Sequence, residues 1–137
     1  MKTWLVTLAL VLLAASPVAA FTTSPTGVTP TTTYTEPTTV VGGAPITDLI
    51  STRIYWKLSN GAETMITIPA TKPTGGGAIT YSGTSMPVLP CQKDVITENI
   101  TAVNPGGESV RVAVSLAVDR TKEPGCVPTG VTGATIQ

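Results

Sequence analysis

The chain has 137 residues, with eight basic side chains, eight acidic side chains, two cysteines and no histidine. The balanced charge provides no basic footprint for nucleic acid and no polybasic patch for a membrane surface. The lack of histidine excludes Ser/His/Asp and Cys/His catalytic arrangements, and a composition rich in threonine, valine, glycine and proline favours strands and turns over helices.

The first twenty residues have the pattern of a secretory signal peptide. Lys2 supplies the positive start, residues 5–15 form an apolar run, and residues 18–20 are small side chains at the expected cleavage site. The apolar run is too short to cross ~30 Å of hydrocarbon. We therefore expect cleavage after Ala20, secretion of a chain that begins at Phe21, and no transmembrane anchor.

Residues 21–39 are rich in threonine and carry prolines at positions 25, 30 and 37. Because proline cannot donate a ladder hydrogen bond, we predict that residues 21–30 form an extended segment that precedes the domain. A short strand is predicted over residues 31–35, around Tyr34. An alternative for the N-terminal segment is that it adds a strand to the sheet of a neighbouring subunit.

Asn60-Gly61 lies between two strand-like runs, residues 49–59 and 62–68. Both residues tolerate the positive φ of a type I′ turn, so the pair predicts a two-residue β-hairpin. In that register Trp56 lies opposite Met65, and Pro69 ends the second strand.

Alternation along the first strand of this hairpin separates its two faces. Ile54, Trp56 and Leu58 share the face that we predict to be core. Tyr55 points the other way and is predicted to be an exposed contact residue.

Three shorter segments connect this hairpin to the next one. Residues 71–77 (TKPTGGG) are predicted to be a flexible loop, because the glycine run lacks the Lys-Ser/Thr of a phosphate-binding loop. Residues 78–82 are predicted to form a short strand. Residues 86–90 are a proline-bounded crossover that leads to Cys91.

The clearest strand pattern lies within residues 94–119. Alternate positions place five apolar side chains on one face: Val110, Val112, Val114, Leu116 and Val118. Residues 104–107 (NPGG) supply turn chemistry between this strand and the preceding one. We therefore predict a β-hairpin with a short polar loop.

Glu98 falls on the inward parity of the first strand of that hairpin, where an unpaired carboxylate is costly. Three explanations are open: a position near the sheet edge, a pairing with Arg53 or Arg111, or a bulge that shifts the register. The next residue, Asn99, begins an N-glycosylation acceptor sequence with Thr101, although a strand gives poor enzyme access.

Cys91 and Cys126 form an even pair in a chain that we expect to be secreted, so we predict one disulfide. Its loop-entropy contribution would be ~3–4 kcal/mol. Metal binding is the competing interpretation, and two thiols without histidine do not favour it. Residues 121–137 would then be a C-terminal tail tethered by the disulfide.

Short strands at regular spacing, with turn signals between them and no helical period, predict an all-β antiparallel β-sandwich over residues 31–120. The sequence also contains a short internal repeat: the residues PTGVT occur at positions 25–29 and again at positions 128–132. The repeat suggests either the start of another module or a first strand that could be exchanged between subunits.

Four stretches resemble parts of a fibronectin type III domain. The second strand of the family is resembled by TTTYTEPTT, and its following loop and third strand by GGAPITDLISTRIYWKLSNG. The end of its next strand is resembled by ITIPA, and its sixth strand, loop and seventh strand by NITAVNPGGES with VRVAVSL. The resemblance covers about residues 25–119. One departure is Ile96, where the family carries a tyrosine near this position. The resemblance implies an immunoglobulin-like sandwich, with Cys91 and Cys126 clamping the open end of the last hairpin.

Members of this family mediate contacts outside the cell through loops or an exposed sheet face, so the resemblance implies a non-catalytic module that binds an extracellular protein or glycan. The candidate contact residues are Tyr55 and the loop residues Gly106, Gly107, Glu108 and Ser109. This loop lacks an Arg-Gly-Asp tripeptide, so integrin-type attachment is not implied. We expect no cofactor and no metal. The alternative function is a self-assembling filament or surface-layer subunit.

Overall fold

The computed structural model describes residues 18–126, which form eight strands. In chain order these are β1 (Val18–Ser24), β2 (Gly27–Thr35), β3 (Ser51–Lys57), β4 (Glu63–Pro69), β5 (Ala78–Ser82), β6 (Lys93–Asn104), β7 (Gly107–Glu108) and β8 (Val112–Asp119).

The strands form two antiparallel sheets that pack against each other. One sheet has the order β1-β2-β5; the other has the order β4-β3-β6, with β7 and β8 both paired to β6. The described residues contain no helix, and none of them belongs to a helix that could span a membrane. The predicted all-β antiparallel sandwich is therefore confirmed.

The core between the sheets takes side chains from both of them and from the crossover before β6. Its buried members are Val28, Tyr34, Ile54, Trp56, Leu58, Met86, Val88, Ile96, Ile100 and Val118. The ring of Trp56 stacks on that of Tyr81 with 6.1 Å between centroids. The predicted core face of β3 is correct, and Trp56 is the largest side chain that it buries.

Residues 21–30 do not precede the sandwich as a separate extended segment, contrary to our prediction. They belong to a hairpin in which β1 pairs with β2 from Val18 opposite Thr33 to Ser24 opposite Gly27. Pro30 lies in this central strand, opposite the segment that follows β5. Between Ser82 and Met86 that segment carries one residue more than β2, so regular pairing is interrupted there. Pro30 is tolerated because the N–H that it lacks would point to this interruption.

The hairpin of β3 and β4 has a register one residue away from the predicted one. Trp56 lies opposite Thr64, not Met65. Gly61 has φ +88° while Asn60 keeps a negative φ, so the turn is a three-residue loop instead of a type I′ pair. The Asn60 side-chain oxygen accepts the N–H of Ala62 at 2.9 Å. This register turns the two isoleucines of β4 toward the core and Met65 outward.

The loop of residues 71–77 is held by Glu36, which lies just after β2. The Glu36 carboxylate accepts the backbone N–H of Thr71 at 2.8 Å and that of Gly77 at 3.1 Å, and the Thr71 hydroxyl also donates to it. Gly75, at φ +64°, has no room for a side chain, since a Cβ there would lie 1.7 Å from the Pro37 carbonyl oxygen. The predicted flexible loop is therefore tied to the sandwich.

The last hairpin is confirmed and contains a β-bulge. Ile100 lies opposite Val112, but Val103 lies opposite Glu108, so the β7–β8 side carries one residue more than β6. The face of β8 predicted to be apolar does point inward from Val112 onward. Val110 does not join it; this side chain lies within the bulge and is 62% exposed.

The predicted disulfide is present and links Cys91 to Cys126, 35 residues apart. It closes the end of the sandwich where β8 leaves the sheet. Beside it, the buried Arg120 donates to the carbonyl oxygens of Gly27 at 3.1 Å and Val88 at 2.7 Å. The predicted leader up to residue 17 and the second PTGVT stretch, residues 128–132, lie outside the described residues.

Candidate binding face

Because of the β-bulge, an even-numbered and an odd-numbered residue on either side of it point to the same face of the five-stranded sheet. Glu108 lies opposite Val103, and the next ladder pair is made by Ser109 with Ala102. Residues 110 and 111 therefore lie together opposite Thr101. As a result Glu108 and Arg111 both point to the solvent side of the sheet, which a regular strand could not achieve.

Glu108 collects hydrogen bonds from three side chains on this face. Tyr55 Oη and Thr101 Oγ1 each donate to Glu108 Oε1 at 2.5 Å. Arg53 donates to the other carboxylate oxygen and forms an ion pair with it. Tyr55 and Glu108, both predicted to be contact residues, are thus brought together by the fold.

Arg111 covers the ring of Tyr55. Its guanidinium carbon lies 3.7 Å from the ring centroid, within cation–π range. The same guanidinium forms a bidentate pair with Glu63, at 2.9 and 3.3 Å. Tyr55 is therefore only 7% exposed, and the prediction that it is an exposed contact residue is wrong.

We call the five side chains that form this continuous array the outer polar face: Arg53, Tyr55, Glu63, Glu108 and Arg111. They come from β3, β4, β7 and the bulge before β8, and they run diagonally across the sheet. Met65 lies beside Tyr55 in the ladder and is 51% exposed. The array is held in place by its own contacts before any ligand arrives.

The electrostatics of the outer polar face keep both of its carboxylates charged. Partial burial acts to raise the pKa of Glu108, but the donors on Thr101, Tyr55 and Arg53 outweigh it, and the pKa is lowered. The hydrogen bonds from Arg111 lower the pKa of Glu63. Each carboxylate is matched by one guanidinium.

The predicted binding loop divides into two parts. Gly106 and Gly107 are exposed at the tip, where the side chain of Asn104 accepts the N–H of Gly106 at 2.9 Å. Ser109 has a structural contact instead, because its hydroxyl oxygen accepts the N–H of Ala102 at 2.9 Å. It thereby replaces a backbone acceptor that the bulge has displaced.

Glu98 lies on the opposite side of the same sheet, between the two sheets, and is 1% exposed. Trp56 Nε1 donates to its Oε2 at 3.0 Å, and the hydroxyl of Thr32 donates to the same oxygen. Among the described residues, the other oxygen has no hydrogen-bond partner. Desolvation raises the pKa of this carboxyl, and the two hydrogen bonds offset part of that rise.

The inward parity predicted for Glu98 is correct, but all three explanations offered for it are wrong. It lies on β6, an interior strand of the sheet, and its pairing with Trp56 and Val114 is regular. Arg53 and Arg111 are on the outer polar face and bind other carboxylates. Neutral donors hold Glu98 in place of a cation.

Asn99, the predicted glycosylation acceptor, is half-buried in β6 between Tyr55 and Ala113. The hydroxyl of Thr101, the third residue of the acceptor sequence, is bound to Glu108. Glycosylation at this position would therefore have to precede folding of the sheet.

No family model, no curated protein and no solved structure matches this chain.

Proposed function

We propose that this protein is a secreted, non-catalytic β-sandwich module of the fibronectin type III type, and that it contacts another extracellular protein through its outer polar face. The observation that carries the proposal is the preformed array of Arg53, Tyr55, Glu108, Arg111 and Glu63, which come from three strands and the bulge. An array that is ordered in advance loses little side-chain entropy when a partner binds.

The strand order supports the family assignment. The stretches that resemble the second, third, fourth and sixth strands of the family occupy β2, β3, β4 and β6, and β7 with β8 takes the place of the seventh. The first strand pairs with the second, and the sixth with the seventh. The disulfide and the leader-like pattern of residues 1–20 support secretion.

The geometry favours a protein partner over a glycan. A sugar ring usually stacks on an open aromatic face, but Arg111 already covers the ring of Tyr55. What the face offers is exposed Met65 surrounded by matched charges. Methionine, tyrosine and arginine are enriched at protein–protein interfaces.

The proposal is tested by surface crosslinking and affinity capture from the secreted proteins of the source organism, using the mature chain from residue 21. Met65→Glu combined with Arg111→Glu should abolish capture of the partner. Thr33→Glu combined with Thr35→Glu, on the exposed face of the other sheet, is the matched control and should retain it. Capture that both double variants retain would show that the outer polar face is not the contact surface. A glycan array with the same proteins tests the carbohydrate alternative.

A second candidate function is self-assembly by strand exchange, and one observation favours it. The expected cleavage after Ala20 falls within β1, so that residues 18–20 would be removed from a strand that pairs them with residues 31–33 of β2. The mature chain would then leave part of the edge of β2 without a partner.

Light scattering on the chain that starts at Phe21 tests this second function. Concentration-dependent growth into long species that disappears when residues 21–24 are deleted would support it. The deletion must stop at residue 24, because Gly27–Thr35 is the central strand of its sheet and its loss would unfold the domain. A monodisperse chain at high concentration would contradict strand exchange.

A further inference from the structure

β4 presents a free edge with an ordered set of backbone hydrogen-bonding groups. Leu58 N–H donates to the Ala62 carbonyl, and Ala70 N–H donates to the Ile50 carbonyl, each at 2.9 Å. These two hydrogen bonds show which residues of β4 face β3: the backbone N–H and C=O groups of its even-numbered residues are hydrogen-bonded to β3. The N–H and C=O groups of Glu63, Met65 and Thr67, and the C=O of Pro69, therefore point away from the sheet. Within residues 18–126 no strand pairs with them.

The other sheet edges of the described chain are shorter, interrupted or in contact with each other. β5 has only five residues and runs into the irregular segment opposite Pro30. β8 pairs with β6 over eight residues and β1 pairs with β2 over seven, but the bulge interrupts the β7–β8 edge, and β1 and β8 contact each other. β4 has seven residues in unbroken register with β3, and residues 64–68 (TMITI) carry no charge. Long, flat and uncharged edges are the ones that recruit another strand.

We propose that β4 is a self-association edge, on which β4 of a second copy of this chain adds antiparallel about a two-fold axis at Ile66. This inference does not rest on the proposed binding function, although Met65 borders the outer polar face and is common to both; the oligomeric state tests the first and capture of a partner tests the second. The two five-stranded sheets would join into one continuous sheet.

The hydrogen-bonding phase permits this register. With the axis at Ile66, Met65 lies opposite the partner subunit's Thr67, and each exchanges both of its outward bonds. Glu63 N–H also reaches the carbonyl of the partner subunit's Pro69, the one outward residue with no N–H to offer. About six backbone bonds result from the two symmetric halves. An axis at Met65 would also give about six bonds but leave the Pro69 carbonyl unpaired, and an axis at Thr67 would give about four.

The side chains agree with the same register. Glu63 lies opposite the partner's Pro69 and not opposite its own copy, so the one charged side chain of β4 meets no like charge across the axis. Ile66 meets the partner's Ile66 on the inner side, next to the core against which it already packs. Met65, which is 51% exposed, gains the partner's Thr67 as a neighbour. The surface is therefore self-complementary, as a two-fold interface requires.

Sedimentation equilibrium on the mature chain, residues 21–137, over a concentration series tests the inference. The wild-type chain should show a monomer–dimer equilibrium. Met65→Lys combined with Thr67→Lys places lysines opposite each other across the axis and should weaken the dimer at least about tenfold. Thr33→Lys combined with Thr35→Lys adds the same charge to exposed positions of a central strand and should leave the dimer unchanged. A chain that stays monomeric up to about 1 mM, or a dimer that the β4 variant does not weaken, would overturn the proposal.

Amide hydrogen exchange followed by NMR locates the interface by residue. In the monomer the amides of Met65 and Thr67 should exchange quickly, while those of Ile66 and Ile68 are protected by β3. Raising the protein concentration should protect the first pair and leave the second unchanged. A dimer that forms while Met65 and Thr67 still exchange quickly would also overturn the proposal. A dimer that is lost only when residues 21–24 are deleted would assign the association to β1.

Discussion

Glu98 and Glu108 lie on the two sides of one sheet, and their environments shift their pKa values in opposite directions. Glu98 is buried between the sheets and receives hydrogen bonds only from neutral donors, on Thr32 and Trp56. Its pKa is raised. Glu108 is partly buried on the outer polar face and receives a guanidinium besides two hydroxyls. Its pKa is lowered.

The difference shows that hydrogen bonds alone do not decide the charge state of a buried acid. Both carboxyls accept strong hydrogen bonds, and both lose solvent. At Glu108 the partial burial that raises the pKa is outweighed by the hydrogen bonds from Thr101, Tyr55 and Arg53, with a smaller contribution from the positive charge of Arg53. At Glu98, desolvation prevails because no cation approaches it from either sheet among the described residues.

The largest effect is expected from Glu108→Ala. The substitution removes the acceptor shared by Arg53, Tyr55 and Thr101, so it should lower the free energy of unfolding by about 2–3 kcal/mol. Urea denaturation at neutral pH measures this change. Glu63→Ala is the control, because it removes a more exposed ion pair and should lower the free energy of unfolding by less than about 1 kcal/mol. Equal effects would show that Glu108 is not the centre of the array.

Glu98→Gln should remove the pH dependence that the buried carboxyl imposes. A raised pKa means that the folded state holds the proton more tightly than the unfolded state, so stability is lost as pH rises through the folded pKa. The glutamine variant should therefore match the wild type near pH 4 and exceed it by about 1–2 kcal/mol near pH 8. Denaturation curves at both pH values provide the measurement. A variant that is less stable than the wild type near pH 8 would show that Glu98 is favourably charged.

The acid side of the stability curve should depend on Glu108. A lowered pKa means that the stabilising charge is present above the unfolded pKa and is lost as pH falls through the folded pKa. Glu108→Gln should remove part of this acid sensitivity, by about 1 kcal/mol between neutral pH and pH 3. Thermal unfolding across this range detects the change. If the Glu108→Gln variant loses as much stability as the wild type between neutral pH and pH 3, the acid sensitivity comes from the other carboxylates.

Tyr34 extends the comparison to a second acid inside the core. Burial raises its pKa to about 12, against a weaker opposing hydrogen bond with Thr52. Ultraviolet titration of the folded protein should therefore show one tyrosine that ionises only near that value, and Tyr34→Phe should remove this step. The variant should lose less than about 1 kcal/mol of stability at neutral pH. Persistence of the late step in the variant would assign it to another tyrosine.

Much of the fold follows from local patterns, and the departures have local physical causes. Alternation correctly identified the hairpin of β6 and β8, and Asn60-Gly61 correctly marked a turn. The register of that turn was missed because the Asn60 side chain caps a three-residue loop. The prolines suggested a tail where β1 and β2 form a hairpin, because an extra residue in the facing segment tolerates Pro30.

The candidate site was predictable only in part. Tyr55 and Glu108 were selected from the sequence, and the alternation of β3 already placed Arg53 on the same side as Tyr55. Alternation with Val112 places Arg111 on that side too, but it places Glu108 on the inward side with Val110 and Val112, and only the bulge brings Glu108 and Arg111 to one face. The bulge depends on a serine hydroxyl that accepts a backbone N–H, and no periodic pattern records such a contact.

The bulge absorbs one extra residue between Glu108 and Val112. If these residues paired regularly at their present length, alternation from Val112 would turn Glu108 toward the interior, where it would face the core without Arg53. Natural variants should therefore tolerate changes of side chain at Val110, which contacts mainly solvent. Removal of Val110 would also leave Glu108 and Arg111 on the outer side, because Glu108, Ser109, Arg111 and Val112 would then alternate regularly opposite residues 103 to 100 of β6.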